Sequence, residues 1–133
     1  NCGYNAKEFL QNAIEISHSH GALFILDEMQ SGFRLDLPGA ISKYDLKPDL
    51  ATWGKGIANG FSFCCLTGIE KVMQLGGITH SGNQKVFLVS TTHGAESTGL
   101  AAVDATIDFF KKNNIKKILD VGCGDFNWMS NLL

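Results

Sequence analysis

The fold is decided by the stretch Ala22-Leu-Phe-Ile-Leu-Asp27, in which five apolar residues run without a break into a carboxylate. A continuous apolar run of this length is typical of a strand that is buried on both faces. Polar residues follow at once, as far as Arg34, and indicate a loop. Upstream, Asn5 and Glu8 form a capping pair ahead of an apolar-periodic helix that we expect to end near Gly21. The sequence therefore predicts a helix, a buried strand and a polar loop, in that order.

The same alternation of strands and helices continues along the chain. Pro48 forces the residue before it towards extended geometry, just ahead of a short predicted strand. The predicted elements are a strand at Asp49–Trp53, a glycine-rich loop at Gly54–Gly60, a strand at Phe61–Thr67, a helix at Ile69–Leu75, a strand at Lys85–Ser90 and a helix at Gly94–Asn113. This order predicts an α/β fold with a partly parallel sheet, whose ligand site lies at the carboxyl ends of the strands.

Composition excludes several classes of protein. The 133 residues carry a formal net charge of −2 with acids and bases interspersed, so no basic stripe indicates nucleic-acid binding. The apolar stretches are of strand length, far short of the roughly 20 residues that a membrane span needs. The four cysteines contain no CxxC pair, which argues against zinc or a disulfide framework. We expect reduced, mostly buried thiols and a cytoplasmic protein without a metal site.

Two residues are candidates for chemistry. Asp27 stands where a buried strand meets a loop, the position at which an open α/β sheet presents functional groups. Its simpler interpretation is a carboxylate that is hydrogen-bonded to loop amides. Lys55 lies between two glycines, whose small size lets a ligand approach the backbone closely. Taken alone, Lys55 is better explained as a solvated loop lysine, and only Asp27 and Lys55 together favour a functional site.

Four separated motifs together resemble one family. They are Asp27-Glu-Met-Gln-Ser-Gly32 after a strand, Lys47-Pro-Asp49, Gly54-Lys-Gly56 with its glycine-rich sequel, and Ser90-Thr-Thr-His-Gly-Ala-Glu96. In this order they resemble the class III aminotransferases, and within them the branch that contains glutamate-1-semialdehyde aminomutase. The resemblance covers residues 22–110. It implies the large domain of a fold-type I transferase that uses pyridoxal 5′-phosphate, a small-molecule amino donor and a carbonyl acceptor, and a homodimer.

The resemblance also implies roles for individual residues. Lys55 would form the Schiff base with the cofactor aldehyde, since only a primary amine gives an imine that a substrate amine can displace. Asp27 would pair with the pyridinium nitrogen and keep it protonated. Met29 would lie against the ring face, although simple core filling explains it as well. Gln30 would bond the phenolic oxygen. Thr92, with Thr91 as the alternative register, would contact the phosphate from the neighbouring subunit.

The end of the chain resembles a different family. Ile118-Leu-Asp-Val-Gly-Cys-Gly-Asp125 is similar to motif I of class I S-adenosylmethionine-dependent methyltransferases, a strand that enters a glycine turn. We therefore expect a partial aminotransferase domain at residues 1–114 and a truncated Rossmann-like start at 115–133, with the chain a fragment at both ends. The alternative functions are a methyltransferase fragment and a non-catalytic remnant. None of the four histidines is assigned a role.

Overall fold

The computed structural model describes residues 5–77, 79–86 and 96–115. The helices and strands of this part are α1 (Ala6–Ser19), β1 (Ile25–Asp27), α2 (Ala40–Lys43), β2 (Leu50–Trp53), β3 (Cys65–Gly68), α3 (Glu70–Met73) and α4 (Ser97–Lys112). Two 3-10 turns, Lys55–Ala58 and Gln74–Gly76, follow β2 and α3. Helices and strands are interspersed along the chain around one small sheet, which confirms the predicted α/β class.

The three strands form one sheet in the order β1-β2-β3. β1 and β2 are parallel, and Asp27 lies opposite Thr52. β3 pairs with β2 in the antiparallel direction. The connection between β2 and β3, residues 54–64, is too short for a parallel crossover, which needs a dozen or more residues and usually a helix. The sheet is therefore partly parallel, as predicted, with β3 as its antiparallel member.

The first strand is shorter and less buried than its apolar run predicts. It covers Ile25–Asp27, and Leu26 is its one buried residue. Leu23 and Ile25 are 54% and 56% exposed. Successive side chains of a strand point to opposite faces, so a sheet covered on one face hides only alternate residues. Within the described residues the strand is therefore covered on one face, and not on both as its apolar run predicts.

The remaining elements agree with the sequence to different extents. The strand predicted at Asp49–Trp53 is β2, and the helix predicted at Ile69–Leu75 is α3 with its 3-10 turn. The strand predicted to start at Phe61 begins only at Cys65, because Phe61 still belongs to a turn in which its N–H donates to the Ala58 carbonyl at 3.1 Å. Of the strand predicted at 85–90, residues 87–90 lie outside the described residues.

The two long helices begin and end where the sequence indicates. Asn5 Oδ1 accepts a hydrogen bond from the Glu8 N–H at 3.3 Å, and Gly21 after α1 has a φ of 70°. α4 lies within the predicted range 94–113. On its predicted apolar face Phe110 is buried, whereas Leu100 is 47% exposed. The amphipathic pattern thus located the helix correctly but overstated how much of its face is covered.

The core joins the sheet to α4 through aromatic side chains. The ring of Phe33 lies 6.4 Å from that of Trp53 and 5.9 Å from that of Phe110. Trp53 Nε1 donates to Thr67 Oγ1 at 2.8 Å, so the indole is buried with its polar atom paired. Phe33 belongs to the loop after β1, and Trp53 ends β2. Phe33 contacts Phe110 of α4, and the turn that begins with Lys55 packs against α4 as well.

Candidate functional site

The parallel register of β1 and β2 brings the two sequence-predicted catalytic residues to one edge of the sheet. Asp27 is the last residue of β1, and Thr52 lies beside it in β2. Lys55 follows two residues after the end of β2. Both residues are exposed. Both residues therefore lie at the carboxyl ends of neighbouring strands, where the sequence predicts a ligand site.

Asp27 is held by two donors. Its Oδ1 accepts a hydrogen bond from the Met29 N–H at 2.8 Å and another from Thr52 Oγ1 at 3.1 Å. The bond from the Met29 N–H agrees with the simpler interpretation of Asp27, a carboxylate that is hydrogen-bonded to loop amides. Among the described residues, however, both recorded bonds end on the same oxygen. The carboxylate is therefore fixed in orientation while Oδ2 remains for a ligand.

Lys55 lies in a segment that we call the lysine turn, residues 54–60. Its φ of 49° is in the left-handed region, which non-glycine residues rarely occupy. Asn59 and Gly60 also have positive φ values, 48° and 100°. Such backbone conformations persist only where the surrounding structure imposes them, and they concentrate at functional sites. The turn therefore presents an exposed amine on a backbone of unusual and defined shape.

Met29 packs on the lysine turn rather than in the core. A Cβ atom placed on Gly54 would lie 2.5 Å from Met29 Sδ, so the thioether occupies the space that a side chain at residue 54 would need. Met29 is half-buried and does not belong to the buried core cluster. Gln30, the next residue, is exposed, and its Oε1 accepts a hydrogen bond from Arg34 Nη1 at 3.0 Å. Both residues therefore stand beside the candidate site.

Glu28 is a residue whose importance the sequence reasoning missed. Its side chain is fully buried, at 0% exposure. Its Oε1 accepts from the Ile41 N–H at 2.7 Å, and Oε2 accepts from the Ala40 N–H at 3.0 Å and from the Ser31 hydroxyl. These bonds tie α2 to the end of β1. The available signal was its position next to Asp27, since neighbouring strand residues point to opposite faces.

The bonds of Glu28 define a second segment, the carboxylate loop, residues 27–39. Its glycines are required by close packing. A Cβ atom on Gly32 would lie 2.7 Å from the Glu28 carbonyl oxygen and 2.9 Å from the Trp53 ring. One on Gly39 would lie 2.6 Å from Glu28 Oε2. In the motif Asp27-Glu-x-x-x-Gly32, Glu28 therefore stabilises the loop after Asp27 by hydrogen bonds, and Gly32 allows its close packing.

Asp49, from the Lys-Pro-Asp motif, fixes the other ends of the two strands. Its Oδ2 accepts from the Phe24 N–H at 2.7 Å and lies 2.8 Å from His18 Nε2. The backbone bond from Phe24, followed by the bond with His18, holds the pKa of Asp49 below its usual value. His18, to which the sequence assigned no role, thus joins α1 to the sheet. Its role is structural.

The remaining predictions concern other parts of the chain. Thr92, Thr91 and the methyltransferase-like segment lie outside the described residues. Within the described residues, no group of three or more His, Cys, Asp and Glu side chains could hold a metal ion. Nor does the described part of the chain contain a helix with the length and apolar character of a membrane span. Cys64 and Cys65 are free thiols, but Cys64 is exposed rather than buried as expected, and burial raises the pKa of Cys65.

These features define a class of site. An exposed amine and an oriented carboxylate stand at the edge where open α/β sheets bind ligands. A primary amine can hold a carbonyl compound covalently, and a carboxylate can hold its cationic end. This combination is the one expected of a pyridoxal-phosphate-dependent transferase of fold type I.

The chain belongs to the class III aminotransferase family, whose sequence profile, described as aminotransferase class-III, matches residues 2–121. It is 37% identical over 113 residues to 3-aminobutyryl-CoA aminotransferase from Cloacimonas acidaminovorans, covering 85% of this chain and 25% of the relative. It is 41% identical over 107 residues to glutamate-1-semialdehyde 2,1-aminomutase from Caldicellulosiruptor saccharolyticus, covering 80% and 24%. The family and the aminomutase-like resemblance are thereby confirmed.

A solved structure shows the same fold. The omega-transaminase from Sphaerobacter thermophilus superposes with a TM-score of 0.69 at 29% identity, covering 78% of this chain and 23% of that one. The fold-type I prediction is therefore confirmed, as is pyridoxal 5′-phosphate as the cofactor of the family. The chain spans about a quarter of the length of the relatives it matches.

Proposed function

We propose that this chain supplies the lysine and the carboxylate of a pyridoxal-phosphate site in an enzyme that transfers an amino group between an amine and a carbonyl compound, or moves it within one substrate. The observation that carries this proposal is the parallel pairing of Asp27 with Thr52, which puts the carboxylate on the same sheet edge as Lys55. Because the chain spans about a quarter of its relatives, the activity is assigned to a complete class III enzyme that contains this segment.

The residues present fit the cofactor. Lys55 is exposed, so its amine is accessible to the cofactor aldehyde, and Gly54 beside it leaves room for Met29. Asp27 keeps one oxygen for a cation while Met29 N–H and Thr52 Oγ1 fix the other. When bound, pyridoxal phosphate supplies an electron sink for the carbon next to the amine.

Each side chain then has one task. The Lys55 amine would hold the cofactor covalently and, when free, would serve as the base for the proton on the substrate carbon. The Asp27 carboxylate would pair with the ring nitrogen and favour its protonated form. Met29 would give the ring a polarizable surface, which its packing on Gly54 beside Lys55 supports. Gln30 would donate to the phenolic oxygen.

Further features of the family carry over as proposals. Thr92 contacts the cofactor phosphate from the second subunit of a homodimer, and the enzyme is cytoplasmic. The substrates are a small amino donor and a carbonyl acceptor. Residues 1–114 form part of the large domain, and residues 115–133 a separate Rossmann-like start. The family match runs to residue 121 and so includes the first residues of that second segment.

The test uses a hybrid enzyme, in which the aligned part of this chain, 80% of its length, replaces the corresponding 107-residue segment of the aminomutase from Caldicellulosiruptor saccharolyticus. Borohydride reduction of the hybrid with bound cofactor, followed by peptide mass mapping, should place the label on Lys55. Lys55→Ala should remove it, whereas Lys43→Ala, at an exposed lysine on α2, should leave it in place. Label on Lys71 or Lys85 instead of Lys55 would refute the assignment.

A further inference from the structure

Arg34 lies in the carboxylate loop and reaches back to Gln30. Its Nη1 donates to the Gln30 side-chain Oε1 at 3.0 Å and to the Gln30 main-chain carbonyl at 3.1 Å. The turn between the two residues is closed by a hydrogen bond from the Arg34 N–H to the Ser31 carbonyl at 3.1 Å. One guanidinium nitrogen thus holds both the backbone and the side chain of Gln30.

The donor chemistry of arginine decides which end of the Gln30 amide faces it. A guanidinium has N–H donors and no acceptor, so the group that faces it must be the amide oxygen and not the NH₂. The NH₂ group of Gln30 is then the end that remains for a ligand. Without the guanidinium, the two ends of a side-chain amide are nearly equivalent in shape and can exchange places.

Arg34 also lies beside the lysine turn. A Cβ atom placed on Gly56, the residue after Lys55, would lie 3.8 Å from Arg34 Nε and 3.9 Å from its Cζ, which is ordinary van der Waals contact. The guanidinium therefore stands between the carboxylate loop, which carries Gln30, and the turn that carries Lys55. The arginine that holds the Gln30 amide thus packs beside the residue that follows Lys55.

From this geometry we propose that Arg34 is a positioning residue, which turns the Gln30 amide so that its NH₂ group, and not its oxygen, is presented to the cofactor. The inference rests on the proposed function, in which Gln30 donates to the phenolic oxygen of pyridoxal phosphate. An amide in the opposite orientation would place an acceptor against that oxygen and repel it. Arg34 thus acts through Gln30 and needs no contact with the cofactor.

The first experiment measures the orientation itself in the 133-residue chain. The ¹³C resonance of the Gln30 side-chain carbonyl, assigned by its loss in Gln30→Leu, reports the hydrogen bond that its oxygen accepts. Arg34→Met should shift this resonance upfield, and Lys7→Met, which removes a charge from exposed α1, should not move it. A resonance that is unchanged in Arg34→Met would overturn the proposal.

The second experiment measures the consequence in the hybrid enzyme. A donor to the phenolic oxygen stabilises its anionic form, so its loss should raise the pH midpoint of the visible absorption of the bound cofactor. We expect a rise of about one pH unit for Gln30→Leu, from the size of a charge-assisted hydrogen bond. Arg34→Met should raise it by roughly half as much.

The double variant separates positioning from a direct effect of charge. If Arg34 acts through Gln30, adding Arg34→Met to Gln30→Leu should move the midpoint no further. A second, additive rise would show that the arginine acts on the cofactor by its own charge, and the positioning role would be wrong. If the proposed function itself is wrong, borohydride reduction will not label Lys55 in the hybrid, with either arginine or methionine at residue 34.

Discussion

The carboxylate loop and the lysine turn meet at the same edge of the sheet but are held by different means. The loop is fixed by side chains: Glu28 is fully buried and binds two backbone amides, while Asp27 accepts two further hydrogen bonds. The turn is fixed by its backbone, with three residues at positive φ. In the described structure, no hydrogen bond or ion pair is recorded for the Lys55 side chain.

This difference fits what each segment has to do. A carboxylate that holds a cation must keep one position, so it benefits from a rigid frame of hydrogen bonds around it. A lysine that is bound covalently and then released must move, so a partner for its amine would compete with the ligand. We therefore expect substitutions in the carboxylate loop to lower the stability of the fold, and substitutions in the lysine turn to change it little. Asp27 should be the exception in the carboxylate loop, because its substitution should affect the reaction rate and not the stability.

The largest expected effect tests that exception. Asp27→Asn in the hybrid enzyme removes the charge while nearly preserving the shape, so Met29 N–H and Thr52 Oγ1 keep an acceptor. The single-turnover rate with an amino donor should fall by about two orders of magnitude or more, as when a group that stabilises developing charge is lost. The melting temperature should stay close to that of the parent hybrid.

Asp45→Asn is the matched control, because Asp45 is exposed and asparagine tolerates its positive φ of 51°. It should change neither the rate nor the melting temperature. An Asp27→Asn enzyme that melts early yet reacts at a near-normal rate would make Asp27 a structural residue like its neighbour Glu28.

The second effect tests the frame of the carboxylate loop. Glu28→Gln would turn an NH₂ donor towards amides and a hydroxyl that need an acceptor, in a site with no access to water. We expect the free energy of unfolding of the 133-residue chain, from urea denaturation, to fall by about 2–3 kcal/mol. Glu15→Gln, at an exposed position on α1, should change it by less than about 0.5 kcal/mol. Equal losses in the two variants would contradict the buried network.

A smaller effect concerns Asp49, which joins the amino ends of the two strands that carry both segments. The pKa of Asp49 is lowered in the folded chain, so its stabilising effect is complete above its usual value of about 3.8 and is lost as pH falls through the lowered folded-state pKa. At pH 6, Asp49→Asn should reduce the free energy of unfolding by about 1.5 kcal/mol, the value of a hydrogen bond to a charged group. The deficit should shrink steadily between pH 4 and pH 2, and a deficit that is independent of pH would contradict the assignment.

The smallest effect tests the backbone of the lysine turn. Lys55→Gly should be more stable than Lys55→Ala by about 0.5–1 kcal/mol, because glycine adopts a φ of 49° without the clash of a Cβ atom. The free energies of unfolding of the two variants give this difference directly. An alanine variant as stable as the glycine variant would mean that the turn does not impose the left-handed conformation. The same pair at Lys71, within helix α3, should show the opposite order.

Local patterns predicted most of the element types but not their burial. The caps at Asn5 and Gly21 located α1, and Pro48 located the start of β2, because each acts on the backbone within a few residues. The apolar runs at 22–26 and 61–67 gave strands that are shorter than predicted and largely exposed. Burial depends on which faces of a strand the rest of the fold covers, and a run of apolar residues does not specify those faces.

The candidate site divides in the same way. The sequence by itself determined that Asp27 ends a strand, that Lys55 lies between glycines and that both belong to motifs of one family, since these facts are properties of neighbouring residues. Only the tertiary structure decided that β1 and β2 pair in parallel, with Asp27 beside Thr52. It alone decided that Glu28 is buried while Asp27 is exposed, and that Arg34 holds the Gln30 amide. The reason is physical: hydrogen-bond partners and covered faces are set by where distant segments meet, and that meeting minimises the free energy of the whole chain.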